Sequence, residues 1–195
     1  MLFLYSKLSH INWKKQLKKR YIFKSDRLGF RNWINSDIPK LAEINSDPQV
    51  MEFFPSIPNY QQTEEFIERM KKQFTEKGFC YFAVDKLIDN EFIGFVGISE
   101  QNYESEFTPC VDIGWRLSRK EWNKGFATEG AKKCLEFAFN NIGLTSVKSI
   151  CPIINERSER VMKKLGMNKK MTFKHPLLKD YKELEKCILY EIEKE

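Results

Sequence analysis

Near residue 125 a strand-like pattern gives way to a helix-like one across a glycine, and a junction of that kind can bind phosphate. Residues 111–131 read Val-Asp-Ile-Gly-Trp-Arg-Leu-Ser-Arg-Lys-Glu-Trp-Asn-Lys-Gly-Phe-Ala-Thr-Glu-Gly-Ala. A helix that starts near Gly125 leaves its first peptide N–H groups without acceptors inside the helix. Those groups also sit at the positive pole of the helix dipole, equivalent to roughly half an elementary charge. Gly125 lets the backbone approach an anion, and the small Ala127 keeps the next position open. A pyrophosphate fits such a cradle. Thr128 and Glu129 suit a first helical turn by the same dipole argument, whether or not an anion binds there.

Other chemistries find little support in the residue inventory. His10 and His175 are the only histidines, and neither is near a cysteine in sequence, so a Cys–His nucleophile has few options. Cysteines 80, 110, 134, 151 and 187 are odd in number and form no C-x-x-C, which predicts reduced, partly buried thiols in a cytoplasmic protein. No H-E-x-x-H or Cys/His cluster is present, so no metal site is expected. A nucleotide hydrolase lacks its G-x-x-x-x-G-K-[ST], and a dinucleotide enzyme its G-x-G-x-x-G.

The elements that must position the junction follow from periodicity. Residues 27–32 alternate as a first strand, and Asn35-Ser-Asp37 before Pro39 caps a short helix reaching about Ile44. Pro55 and Pro58 break the chain. Thr63 is then expected to cap a second helix, with Phe66, Ile67, Met70 and Phe74 at helical spacing and Gly78 as its stop. Residues 79–85 and 91–99 predict a hairpin turned at Asp89-Asn90, and 111–117 a fourth strand. A helix over 126–141 presents Ala127, Ala131, Leu135, Ala138 and Phe139 on one side and stops at Gly143. Residues 147–151 make a fifth strand, 156–165 a helix closed by Gly166, and 186–192 a last strand.

Composition sets the outer bounds. With 195 residues, 42% hydrophobic and 31% charged, the chain suits one globular domain with a full core. No apolar run approaches the ~20 residues that span a bilayer, so no membrane partner is expected. The net charge of +6 is local: residues 1–24 hold seven basic residues and no acid, leaving the remainder at −1. The expected organisation is therefore a basic N-terminal extension, 1–24, followed by one domain, 25–195. A solvated tail is the favoured reading of that extension, with no direct nucleic-acid contact, and an amphipathic membrane or RNA-binding helix stands as its alternative.

Thirty residues beyond Gly125 the chain reads Asn155-Glu-Arg-Ser-Glu-Arg-Val-Met-Lys-Lys-Leu-Gly-Met. Together the two segments resemble the acetyl-CoA-binding core of the GNAT N-acetyltransferases, in particular the branch that contains the ribosomal-protein N-terminal acetyltransferases. Residues 27–54, with Asp37, Asp47-Pro48 and Phe53-Phe54, are similar to that branch's N-terminal region, and Phe173-Lys-His-Pro176 to its C-terminal part. The likeness covers about residues 26–193. It implies an α/β (α+β) fold: a mixed central sheet of six to seven strands, helices on both faces, and strands four and five splayed around a pantetheine arm.

The resemblance also implies roles. Trp122-Asn123-Lys124-Gly125-Phe126-Ala127 falls on the family's Q/R-x-x-G-x-G/A, whose backbone amides, with Thr128 following, hold the CoA pyrophosphate. Trp122 departs from the Gln/Arg slot, which backbone binding tolerates. Trp115, Arg116 and Leu117 pair their backbone with the pantetheine amides, and Asn155 bonds the same arm or simply caps the helix that follows. Lys120, Lys124 and Lys163 are candidates for the 3′-phosphate. Asp112 falls where an acidic residue faces the acceptor and relays a proton; its alternative is a carboxylate on the outer face of a strand. Ser158 matches the position near the thioester sulfur, able to protonate the leaving thiolate. The activity implied is direct transfer from acetyl-CoA to a primary amine of a protein N-terminus or small molecule, by a monomer or homodimer. Two alternatives are a catalytically silent acyl-CoA-binding module and a ribosome- or RNA-associated factor using residues 1–24. Phe53 to Tyr60 and Lys174 to Lys182 are expected to set acceptor specificity, with Phe53 and Phe54 read first as filling the edge of the core.

Overall fold

Residues 20–194 are described by the computed structural model. Eight strands, β1 (Phe23–Lys24), β2 (Leu28–Arg31), β3 (Tyr81–Lys86), β4 (Phe92–Gln101), β5 (Cys110–Leu117), β6 (Ser146–Pro152), β7 (Asn168–Lys174) and β8 (Lys186–Glu193), form one sheet. Their order is β1-β2-β3-β4-β5-β6-β8-β7. The helices are α1 (Asp37–Ser46), α2 (Tyr60–Lys77), α3 (Phe126–Phe137), α4 (Glu156–Lys164) and α5 (Lys182–Glu185).

Every neighbouring pair is antiparallel except β5 and β6, which run parallel and pair at one position, Asp112 opposite Lys148. Beyond that position the two strands separate, so the expected splay is present. The sheet exceeds the expected six to seven strands because β1 is only two residues long and β7 is largely exposed, so neither shows the alternation of a half-buried strand. Residues 1–19 of the expected basic extension lie outside the described residues. Its last two, Phe23 and Lys24, pair with β2, and the Phe23 ring stacks on Phe30 and Phe137 at 4.5 and 4.6 Å.

Helices cover both faces. Gly130 of α3 packs against Val96, Leu28 and Phe30 so closely that an added Cβ would lie 3.3–3.5 Å from their side chains. On the other face, Phe66 of α2 meets Trp33 and Phe95, and Gln73 accepts a hydrogen bond from Ser99 at 2.9 Å. The cap expected from Thr63 is a correction. Asn59 caps α2 in a reciprocal box with Gln62, while Thr63 is buried one turn further in, accepting from Asn45 at 3.2 Å. Helix α3 runs on through a π turn to Ile142 and ends at the left-handed Gly143, as its pattern predicts.

The first helix is tied to the sheet by a buried ion cluster. Arg31 on β2 grips Asp37 with two hydrogen bonds of 2.7 and 2.8 Å, and Asp85 on β3 with two of 2.9 Å. Both carboxylates are fully buried. Arg31 loses hydration through burial, but the bonds to Asp37 and Asp85 outweigh that loss and raise its pKa. Removing the central cation leaves buried Asp37 without a counter-charge and Asp85 with only the half-exposed Arg20 and the Tyr21 hydroxyl. Arg31→Met is therefore expected to destabilise the fold by about 3–5 kcal/mol, read from urea midpoints at constant slope.

Candidate functional site

Strand β5 presents its backbone in two directions. The Ser118 N–H donates to Ile93 O at 2.9 Å, which fixes even-numbered residues as the ones bonded to β4. Odd-numbered residues Ile113, Trp115 and Leu117 therefore turn their N–H and C=O toward the gap beside β6. The Ser149 hydroxyl donates to Ile113 O at 3.0 Å, and the Trp122 indole N–H to Leu117 O at 2.9 Å. Trp115 is left between them with its amide and carbonyl directed into the gap, whereas the backbone of Arg116, expected to pair with a pantetheine arm, is turned to β4 instead. A ligand with peptide-like amides meets there the backbone edge that an added strand would meet.

The end of that gap opens on the start of α3. Asn123 and Gly125 are both left-handed, at φ of 60° and 82°, and they fold the chain back so that the helix starts beside the end of β5. The first α3 bond runs from Glu129 N–H to Gly125 O at 3.0 Å, leaving the amides of Phe126, Ala127 and Thr128 without intrahelical acceptors. Arg27 braces this turn. Its guanidinium donates to Lys124 O at 3.0 Å and Glu129 at 2.7 Å, and lies 4.4 Å above the Phe126 ring. Burial raises the Glu129 pKa, but hydrogen bonds from Ser25 and from the Arg27 backbone and side chain outweigh it, and the net shift is downward.

A cleft of about 380 Å³ joins the two features. Its walls include eleven of the expected residues: Trp115, Arg116, Leu117, Trp122, Asn123, Gly125, Phe126, Ala127, Thr128, Asn155 and Ser158. Lys124 and Asp112 are not in the wall. Lys124 turns its amine to Glu121 at 3.0 Å. The other two lysines proposed for a phosphate are also turned away, Lys120 to Glu91 and Lys163 to Glu159. The cations in the cleft wall are instead Arg116 of β5 and Arg157, Arg160 and Lys164 of α4, with Arg157 paired to Glu52 and Arg160 to Glu156. The spacing of the α4 cations on one helix face was readable, but nothing in the sequence told which face turned inward. Phe53 and Phe54 depart from the core-edge reading: both line the cleft, and Phe54 is 39% exposed. Arg157 crosses toward that segment, its guanidinium bonded to Glu52 and over the rings of Phe53 and Trp122 at 5.4 and 4.7 Å.

At the N-terminus of α4, Asn155 Oδ1 accepts the Ser158 N–H at 3.0 Å, so the capping alternative holds. The cap uses only the oxygen, and the side-chain NH2 makes no hydrogen bond among the described residues. The Ser158 hydroxyl is equally unengaged.

Asp112 lies on the α1–α2 face of β5, not on an outer face. It accepts from the Tyr81 hydroxyl at 2.5 Å and from Gln101 at 3.0 Å. Burial pushes its pKa up to about 6, and the bonds from Tyr81 and Gln101 pull against that rise. Gly114 leaves room for the Tyr81 ring, which would stand 3.1 Å from an added Cβ. Tyr81 and Gln101 were missed in sequence because they come from neighbouring strands. Near Asp112, Tyr103, Phe107, Phe173 and His175 form an aromatic group, with Tyr103 and His175 at 4.4 Å, which places part of the 174–182 segment beside this end of β5. All five cysteines are free, and four are buried. Among the described residues no His/Cys/Asp/Glu group has a metal-binding arrangement, and no helix is long and apolar enough to cross a membrane.

A mixed sheet parted beside one strand, with helices on both faces and unpaired amides at the end of the gap, is a GNAT-like α/β fold. Residues 27–168 match the model of the acetyltransferase (GNAT) domain, and the chain belongs to that family. It is 31% identical over 154 residues to the uncharacterized protein YkkB of Bacillus subtilis, covering 77% of this chain and 87% of that one. A GNAT-family acetyltransferase from Bacillus anthracis superposes with a TM-score of 0.72 at 28% identity, covering 87% and 96% of the two chains. A ribosomal L7/L12 α-N-protein acetyltransferase in complex with coenzyme A shares the fold alone, with a TM-score of 0.69 at 14% identity over 87% of this chain and 95% of that one.

The cap seen at Asn155 and the ligand contact expected of it separate by substitution. Asn155→Ala is expected to cost about 1 kcal/mol of stability in thermal or chemical denaturation, through loss of the cap. Asn155→Asp keeps a capping oxygen and near-native stability but loses the NH2, so calorimetry should show weaker coenzyme A binding in both variants.

Proposed function

We propose that the protein is an acetyl-CoA-dependent N-acetyltransferase that acetylates a primary amine directly, with no acetylated enzyme intermediate. The observation that carries this reading is the continuity of the cleft, from the open Trp115 backbone to the free amides of Phe126, Ala127 and Thr128. The residues present suit the cosubstrate. Gly125 and its neighbours offer a diphosphate three N–H donors and the helix dipole, braced by Arg27. Trp115 offers the pantetheine arm one donor and one acceptor, and the NH2 of Asn155 a further donor. Arg157, Arg160 and Lys164 add positive charge along the α4 wall. Acetyl-CoA supplies the acetyl group as an activated thioester.

The protein's own groups then handle protons and charge. An amine attacks only when neutral, and with reference pKa values near ~8 for an α-amine and ~10.4 for lysine, most of it is protonated at pH 7. Asp112, with its pKa near 6, is largely ionised at that pH and receives the proton through the Tyr81 hydroxyl or a water beside it. A backbone N–H of β5 facing the gap polarises the thioester carbonyl. The Ser158 hydroxyl donates a proton to the leaving thiolate. Cysteine nucleophiles are disfavoured, because burial raises the pKa of Cys80, Cys134, Cys151 and Cys187. A protein N-terminus, as in the ribosomal-type branch, or a small amine serves as acceptor.

Calorimetry with coenzyme A and acetyl-CoA tests the binding half; an absence of affinity for both removes the proposal. Thiol release with amine panels tests turnover, and a ping-pong initial-rate pattern would reject direct transfer. Because the Asp112 pKa is raised, its base form appears only above about pH 6, so kcat/KM is expected to climb through that pH. Tyr81→Phe removes a bond that holds this pKa down and moves the ascending limb to higher pH. Asp112→Asn is expected to lower kcat by about 10²–10⁴ while coenzyme A still binds.

A further inference from the structure

Arg116 is a half-buried cation without an anion, with its Nε fully buried. Its Nη1 donates to Asn45 Oδ1 at 2.9 Å, and its guanidinium lies 4.1 Å above the Phe54 ring and 5.4 Å from that of Phe95. The Nε–H is buried and meets no acceptor among the described residues, and Nη2 makes no hydrogen bond there either. No described carboxylate pairs with it. The contrast with Arg31 is direct: that residue's Nε and Nη2 hold both oxygens of Asp85 at 2.9 Å. The same edge of Arg116 has no such partner among the described residues, and Arg116 is one of the residues lining the cleft. Burial lowers the Arg116 pKa to about 10, so the group is still charged at neutral pH.

A desolvated, unpaired guanidinium is costly, and the cost is recovered when an anion arrives with both oxygens aligned to the fork. The phosphate cradle is not that source. Even-numbered side chains of β5 point to the α1–α2 face, as the contacts of Arg116 with Asn45 and Phe54 show, whereas the cradle belongs to α3 on the other face. Asp112, Gly114 and Arg116 share the α1–α2 face. Proton acceptor and cation thus stand on one face of one strand, with the side-chain-free Gly114 between them.

We propose that Arg116 binds a carboxylate of the acceptor through its Nε and Nη2 edge, so that the preferred substrates are amines whose molecules also carry a carboxylate. This rests on the acetyltransferase reading and narrows its substrate class. The planar fork favours a carboxylate over a point charge, and the Phe54 ring stacked on the guanidinium fixes the plane in which it is received.

The test compares amino acids and short peptides as free carboxylates and as the matching amides, with thiol release as readout and coenzyme A calorimetry alongside. The expected result is a preference of tenfold or more in kcat/KM for the carboxylate form, carried mainly by KM. Arg116→Gln is expected to bring that ratio to about one. Should that variant fail to fold, Asn45→Asp serves instead, because it places a carboxylate on the guanidinium and should also collapse the preference. Equal rates for the paired substrates, or coenzyme A binding with no carboxylate-bearing amine acetylated, would overturn the role of Arg116. Loss of coenzyme A affinity in the unaltered protein would instead overturn the acetyltransferase reading beneath it.

Discussion

The gap between β5 and β6 is the constraint on which the remaining structure depends. A sheet normally satisfies both edges of an interior strand, and an unpaired buried backbone group costs as much as a lost hydrogen bond. Here β5 is paired along its whole length with β4 but with β6 at only one position. The opening is managed group by group: Ser149 takes the Ile113 carbonyl, Trp122 takes that of Leu117, and Trp115 is reserved between them. The same indole that occupies the atypical slot of the Gly125 loop also closes the end of the gap. That is a physical reason for a tryptophan there which a side-chain donor to phosphate would not supply.

Holding such a gap open requires rigidity on either side. On the α3 side, Arg27 and Ser25 converge on Glu129, so the N-terminal turn of the helix is pinned to the start of β2. On the other side, the Arg31 cluster fixes α1, and α1 in turn carries Asn45, whose amide reaches both Thr63 of α2 and Arg116 of β5. The loop after α1 brings Phe53 and Phe54 to the cleft, with Arg157 of α4 meeting it from across. Ion pairs of buried type position the backbone, while the exposed pairs along the helices contribute little.

Much of this was legible in one dimension. The turn at Gly125 is local, so a strand pattern, a glycine and a helix pattern close together in sequence were enough to place it, while the capping role of Asn155 followed from its own helix start and the site roles of Asn155 and Ser158 came from the family resemblance. What could not be read is what depends on neighbours from distant strands. Tyr81 and Gln101 reach Asp112 only through sheet pairing, and the outcome for Lys120, Lys124 and Lys163 depends on which nearby carboxylate captures each amine. The Thr63 cap failed for a related reason: Asn59 with Gln62 offers the reciprocal box, and the burial of Thr63 against Asn45 is a tertiary fact. Strands β1 and β7 escaped notice because one is too short and the other too polar for periodicity to register.

The polarity of β7 has its own outcome. It is the outermost strand beyond β8, so one row of its peptide groups has no partner strand among the described residues. Lys169, Lys170 and Lys174 are exposed along it, with Lys170 held to Glu191 and Lys174 to Glu185. Positive charge on that rim makes it a poor template for a strand from another molecule, which guards a β-rich chain against edge-on self-association at the concentrations of a crowded cell.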